Sequence, residues 1–150
     1  MPTTATSQLI FFIAAIVVSS AVAGVFVGTV LKLSDDIKHK ANDIDKTVNT
    51  QIAIINDPSA MPYNSSANTT IIYVKNIGST SLDPNATRVL IDGNYSASDN
   101  LTFRLLDNAS AWTNEVTLEI TIGNVTLSSG DHQAKVVVQF GRSATLKFKI

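Results

Sequence analysis

The 150-residue chain contains no cysteine, which excludes disulfides, thiolate zinc sites and a cysteine nucleophile. It also lacks a basic excess. Eleven Lys and Arg against 12 Asp and Glu leave a formal charge of −1, whereas a nucleic-acid partner needs a basic face to meet phosphate. Charge of either sign is scarce, at 15% of residues against a usual share of about 25%, while 45% of residues are hydrophobic. The scarcity is uneven. Met1 to Leu31 carry no charged side chain, and the remaining 119 residues hold all 23.

That uncharged stretch contains the long apolar run. Leu9 to Leu31 is 23 residues broken only by the hydroxyls of Ser19, Ser20 and Thr29, and it holds 14 Leu, Ile, Val and Phe. As a helix it is about 35 Å long, enough for a ~30 Å hydrocarbon core. Its insertion free energy is about −4 to −8 kcal/mol on a scale that applies at the helix centre. A core helix of a soluble domain rarely runs so far without a polar face. A cleaved secretory signal has a basic n-region and a shorter apolar run, and no Lys/Arg-Gly junction of the prepilin-peptidase kind precedes this one. The expectation is an uncleaved single span over 9–31 after a tail at 1–8, with the lipid bilayer as its partner. Ser20, Gly24 and Gly28 form a small-residue row on one face, beside a second row of Ala15, Ser19 and Ala23. Such rows let helix backbones approach closely in lipid, so Ser20, Gly24 and Gly28 are the candidate residues for helix–helix packing.

Past Leu31 the chain turns charged, yet Leu33, Ile37, Ala41, Ile44 and Val48 recur at helical steps, and no Gly or Pro falls between Thr29 and Asn56. This predicts one helix from about Leu9 to Thr50. Its soluble part is a stalk over 32–55, whose end, Ile52 to Ile55, reads as a possible first strand. The apolar stripe fits the chain's own head or another subunit equally well. Asn56-Asp57-Pro58 and the Ser, Asn and Pro of the next ten residues predict a hinge or linker over 56–68.

From 69 to 150 alternation and β-branched runs predict strands at Thr69–Lys75, Thr87–Asp92, Leu101–Leu105, Val116–Ile122, Val125–Leu127, Gln133–Phe140 and Thr145–Ile150. Turn signals such as Asp92-Gly93-Asn94 and Ser129-Gly130-Asp131 separate them. The fold class is therefore α+β: an N-terminal transmembrane helix continuing into a soluble helix, then an all-β, immunoglobulin-like antiparallel sandwich. Trp112 is expected to pack at the sandwich edge or end.

Seven N-x-S/T sequons begin at Asn64, Asn68, Asn85, Asn94, Asn100, Asn108 and Asn124, all after the span. The 12 Asn and 31 Ser plus Thr in 150 residues give about 2.5 by chance. A sequon is a glycosylation acceptor in exported chains, so the excess argues that the head faces outward and that these asparagines are candidate glycosylation sites. Lys32, Lys38, Lys40 and Lys46 argue the reverse by the positive-inside rule. That rule weakens for a translocated domain, and the sequons take precedence.

Little in the chain points to catalysis. His39 and His132 match no zinc-ligand spacing, and no G-x-S-x-G, P-loop or dinucleotide fingerprint occurs. Asp35 and Asp36 read as a solvated membrane flank. Glu115 and Glu119 are expected on one solvated strand face. Neither an enzymatic activity nor a cofactor is expected.

Several stretches are similar to a known family. Leu9 to Gly24 looks like the hydrophobic helix of archaellum (archaeal flagellum) proteins. Ile54-Ile55-Asn56-Asp57-Pro58, Tyr73-Val74-Lys75-Asn76-Ile77-Gly78, Leu82-Asp83-Pro84-Asn85, Val89-Leu90-Ile91-Asp92-Gly93 and Ser129-Gly130-Asp131-His132 resemble the FlaF/FlaG family of archaellum accessory proteins. The resemblance covers nearly the whole chain. It implies a structural, stator-like protein linking the membrane-embedded motor to the surface layer, with the C-terminal head in the pseudoperiplasm. Its implied partners are further copies of itself, a FlaF-like chain, the surface-layer protein and motor components. A pilin-like or archaellin-like filament subunit is the alternative, in which the apolar helix packs in a fibre core.

Overall fold

The computed structural model describes residues 3–150, which divide into two compact units meeting between Asn42 and Asp43. One α-helix, α1 (Thr3–Asn49), supplies the whole of the first unit's described residues and the opening turns of the second. Residues 3–8 of the expected tail are its first turns, while residues 1 and 2 lie outside the described residues. The apolar run needs no water to satisfy its hydroxyls: Ser19, Ser20 and Thr29 each donate to the carbonyl four residues earlier, at 2.7–2.9 Å. Back-bonding of this kind is how a helical Ser or Thr hides its polarity.

The second unit is a two-sheet antiparallel sandwich. In the first sheet β1 (Ile52–Ile54), β3 (Thr69–Asn76), β7 (Thr117–Ile122) and β6 (Leu101–Leu105) lie in that order, and β2 (Tyr63–Asn64) also pairs with β3. The second sheet runs β5 (Asn94–Tyr95), β4 (Arg88–Ile91), β8 (Asp131–Val137), β9 (Ser143–Lys149). Strand alternation sets the register. Ile72, Val74, Leu118, Ile120 and Ile122 of one sheet and Val89, Ala134 and Val136 of the other are fully buried or nearly so, and Phe148 joins them. Their intervening neighbours face outward, because successive side chains of a strand point to opposite sides. Trp112 is completely buried and its backbone bridges Leu82 at one end of the sandwich.

The structure corrects four expectations. Residues 56–68 are not a hinge. Asn56 is buried, and its side chain accepts from Tyr73 N–H at 2.7 Å and donates to the Ile71 carbonyl at 2.9 Å. It thereby fills the ladder gap on β3 between β1 and β2, and Met61 joins the core. The turn residues that suggest mobility instead cap tight turns, as when Asp57 accepts from Ser59 N–H and Asn64 from Ser66 N–H. Val125–Leu127 alternates like a strand but is none, since Val125 N–H goes to the Asn68 carbonyl and Leu127 N–H to the Tyr63 hydroxyl rather than to a neighbouring strand. The strand expected to reach Phe140 stops at Val137, and a short 3-10 turn with Phe140 at φ +59° follows. Glu115 and Glu119 do not share a strand face, because β7 starts only at Thr117, after Glu115 at φ +67°.

Candidate functional site

On α1 the 14 large apolar side chains from Leu9 to Leu31 are all exposed, at 46–76%. Four-residue spacing places Ser20, Gly24 and Gly28 along one face. The Ser20 hydroxyl bonds to the Ile16 carbonyl, and a Cβ added at either glycine meets nothing within 4 Å. That row is open for close backbone approach.

The end of the helix is held by the head. An α-helix leaves its last four carbonyls without internal partners. Here the Asn49 carbonyl accepts from Ser79 and Thr80 N–H at 3.0 and 3.3 Å, and Arg142 Nε donates to the Thr47 carbonyl at 2.8 Å. Thr50 Oγ1 bonds to the Lys46 carbonyl at 2.7 Å, and the Lys46 ammonium lies 5.9 Å from the centroid of the Phe140 ring, in range of a cation–π contact. Gln51 accepts from Ile77 and Gly78 N–H, both at 3.0 Å. Only glycine fits at 78: a Cβ there would lie 2.3 Å from the Asn49 carbonyl oxygen and 2.5 Å from Gln51 N. Behind this brace, the fully buried Asn76 donates to the carbonyls of Thr80 and Trp112 and accepts from Gly78 N–H, and Asn114 donates to the Gly78 carbonyl. Three segments that are far apart in sequence thus converge on the junction of helix and sandwich.

At the opposite end of the sandwich, His132 on β8 meets Asp92 in the turn after β4. Its Nδ1 lies 2.6 Å from the Asp92 carboxylate and its Nε2 2.8 Å from the Ser128 carbonyl, while Asp92 also accepts from Gln133 N–H. Two acceptors require both ring nitrogens to donate, which favours the imidazolium. The Ser128 carbonyl, then Asp92, raise the His132 pKa, and the His132 hydrogen bond holds Asp92 below the usual carboxylate range. With both nitrogens engaged, His132 has no lone pair for a general base. It ties the β4–β5 turn to the loop before β8. On the outer face of the first sheet, Arg104 forks onto Glu119 at 2.9 and 2.7 Å, lowering the glutamate pKa and raising that of the guanidinium, and Lys75 pairs with Glu115. No group of three metal-ligating side chains gathers among the described residues.

The sequons separate by accessibility. Asn64, Asn94, Asn108 and Asn124 are exposed, as are the hydroxyl residues Ser66, Ser110 and Thr126, with Ser96 half-buried. Asn100 is half-buried with Thr102 exposed. For Asn68 and Asn85 the hydroxyl residues Thr70 and Thr87 are buried. Sequence reasoning missed Asn56, Gly78, Asn114 and Arg142 as bracing residues. The signal available for the first two was their place in the motifs Asn56-Asp57-Pro58 and Asn76-Ile77-Gly78, since buried asparagines and a glycine at a close approach are what such turn-rich motifs encode.

A single exposed apolar helix ending in a braced β-sandwich defines a structural helix-and-head protein. The family model for archaeal-type flagellin matches residues 3–148, and the chain belongs to that family. It is 27% identical over 155 residues to flagella-related protein G of Methanocaldococcus jannaschii, covering 98% of this chain and 96% of that one. Among solved structures it is similar to the archaellum periplasmic stator protein FlaG of Sulfolobus acidocaldarius, at 18% identity and a TM-score of 0.49 over 66% of this chain and 99% of that one. The complex of FlaF and FlaG from the same organism matches at 19% identity and a TM-score of 0.48, over 66% and 89%.

Proposed function

We propose that this chain is a membrane-anchored, stator-like component of the archaellum that links the motor to the cell envelope. In this reading residues 9–31 cross the membrane once and the head stands outside the cytoplasm, in the pseudoperiplasm. The observation that carries the proposal is the pairing of a helix whose 14 large apolar side chains are all uncovered with a helix end gripped by backbone and side-chain bonds from the head. A stator resists torque, so it needs both an anchor and a firmly built head. The whole-length likeness to flagella-related protein G supports the archaellum setting. By analogy with the Sulfolobus complex, a FlaF-like chain is a proposed partner, with the surface-layer protein and motor components beyond it. Further copies of the chain meet along Ser20, Gly24 and Gly28 in lipid. Of the seven sequons, Asn64, Asn108 and Asn124 present both amide and hydroxyl on the folded surface, and they are the first expected to carry glycan.

Crosslinking in intact cells tests the proposal. Capture of an envelope or surface-layer protein through the head supports it, and crosslinks confined to cytoplasmic proteins would overturn both the role and the topology. The family match to archaeal-type flagellin favours a second reading, a filament subunit with the helix in the fibre core. Sequencing the N-terminus of the protein from cells separates the two: a mature chain shortened to the start of the apolar run indicates a filament subunit, and one beginning near Met1 indicates the anchored form.

A further inference from the structure

The sandwich leaves its sheet edges unequally protected. An exposed edge strand offers a row of free backbone donors and acceptors, and natural proteins blunt such rows with lysines, prolines, shortness or cover. β1 has three residues and β2 and β5 two each. β9 is longer but carries Lys147 and Lys149 on one face, and its Lys149 N–H is already bonded to the Pro58 carbonyl. β6, Leu101–Leu105, is the least defended: its one charged side chain, Arg104, is paired with Glu119 of the neighbouring strand. It is five residues long, contains no Lys or Pro, and has β7 on one side only.

The register identifies which of its groups are free. The Asn100 carbonyl accepts from Gly123 N–H and Leu106 N–H donates to the Thr117 carbonyl, so the backbone groups of the even-numbered residues point at β7 and those of Leu101, Phe103 and Leu105 point away. Leu101 N–H is bonded to the Ser98 carbonyl. That leaves the N–H and C=O of Phe103 and Leu105 and the C=O of Leu101 without a partner among the described residues. We infer that β6 is the edge through which two copies of this chain pair, antiparallel about a two-fold axis at Phe103. In that register Phe103 stands opposite Phe103 of the second copy and Leu101 opposite Leu105, which gives four backbone hydrogen bonds. The half-buried Phe103 and Leu105 continue the apolar face across the join. On the outer face Thr102 meets Arg104, so like charges do not face each other, and each Arg104 remains neutralised by its own Glu119. Pairing through β9 would instead gather two lysines from each copy on one face.

The contact is small beside a standard interface of about 1,600 Å². It therefore depends on anchoring, which raises the effective concentration of one head beside another. The inference deepens the self-assembly part of the proposed function and rests on that reading only for its purpose. The absence of native cysteine makes the test direct. Unglycosylated full-length chains carrying Thr102→Cys or Arg104→Cys are placed in one lipid vesicle and mildly oxidised. Opposed residues at this position of an antiparallel pair have Cα atoms about 4.5 Å apart, within disulfide range. The mixture is expected to give several-fold more covalent dimer than either variant alone, and Thr145→Cys on β9 little. Both β6 positions are exposed, so unchanged melting of the reduced variants verifies folding. A mixture no better than the single variants, or a dimer through Thr145→Cys instead, overturns the inference, as does crosslinking that requires an added FlaF-like chain. Envelope crosslinks in cells without β6 dimers would sink the pairing alone, and β6 dimers without envelope crosslinks would sink the stator reading alone.

Discussion

The helix and the head satisfy their polar groups over very different distances. In α1 the hydroxyls of Ser19, Ser20 and Thr29 reach back four residues. In the head, Asn56 reaches 15 residues to Ile71, Asn76 and Asn114 reach 36 to Trp112 and Gly78, and Arg142 reaches 95 to Thr47. The helix is thus complete as a local object and incomplete as a surface, since every large apolar side chain from Leu9 to Leu31 is uncovered. The head is the opposite: its core is closed, and its local segments make sense only when distant ones arrive. The proposed role, an anchor at one end and a rigid head at the other, would use this division.

The sharpest test of the contrast is at Trp112. Trp112→Ala is expected to cost the head about 3–5 kcal/mol, read from denaturant unfolding of the full chain in detergent, while the helical signal of the apolar segment stays unchanged. A cost below about 1 kcal/mol would falsify the picture of a closed core at that end. Next comes Gly78→Ala, for which the clash is with backbone atoms that no rotamer change relieves. Overpacking of this sort costs about 1–3 kcal/mol, and a variant with unaltered melting would show that the helix end does not approach the head so closely.

Smaller, but distinctive in form, is the pH dependence of the His132–Asp92 clamp. The folded pKa of His132 is raised above its ordinary value of 6.5. Its contribution is therefore complete below about pH 6.5 and is lost as pH rises through the folded value. Asp92, lowered from 3.8, contributes above about pH 4 and loses its contribution as pH falls through its depressed value. The clamp is strongest between about pH 4 and 6.5. Taking the head from pH 6 to 9 is expected to remove about 1 kcal/mol, the scale of a partly screened pair, and His132→Asn should flatten that slope. An identical slope in the variant would assign the effect elsewhere. The smallest expected effect on the head is that of Gly24→Leu, which is none. A Cβ at Gly24 meets nothing in the chain, yet the bulk should weaken association of the full chain in detergent, because small residues set the closeness of membrane helices. Unchanged association would remove Gly24 from the packing face.

Much of this architecture is legible from periodicity. The stripe Leu33, Ile37, Ala41, Ile44 and Val48 marks α1 well beyond the apolar run, and Leu101–Leu105 is the same in sequence and structure. The misreadings have a common cause. Val125–Leu127 has the alternation of a strand, but a strand also needs a neighbour, and its N–H groups find a loop carbonyl and a tyrosine hydroxyl instead. Residues 56–68 have the composition of a linker, but composition cannot show that the Asn56 amide will stand in for a strand's backbone. Gly78 is one of seven glycines, and its indispensability depends on Asn49 and Gln51 arriving beside it.

The sequence by itself determined the uncharged apolar helix, most of the longer strands of the sandwich and the outward-leaning count of sequons, because each is written in neighbours along the chain. Only the tertiary structure decided which polar residues brace the helix end, that His132 is a clamp rather than a base, and which edge strand is left with free backbone groups. Those properties depend on hydrogen bonds between residues dozens of positions apart, and local periodicity holds no record of which distant groups will meet.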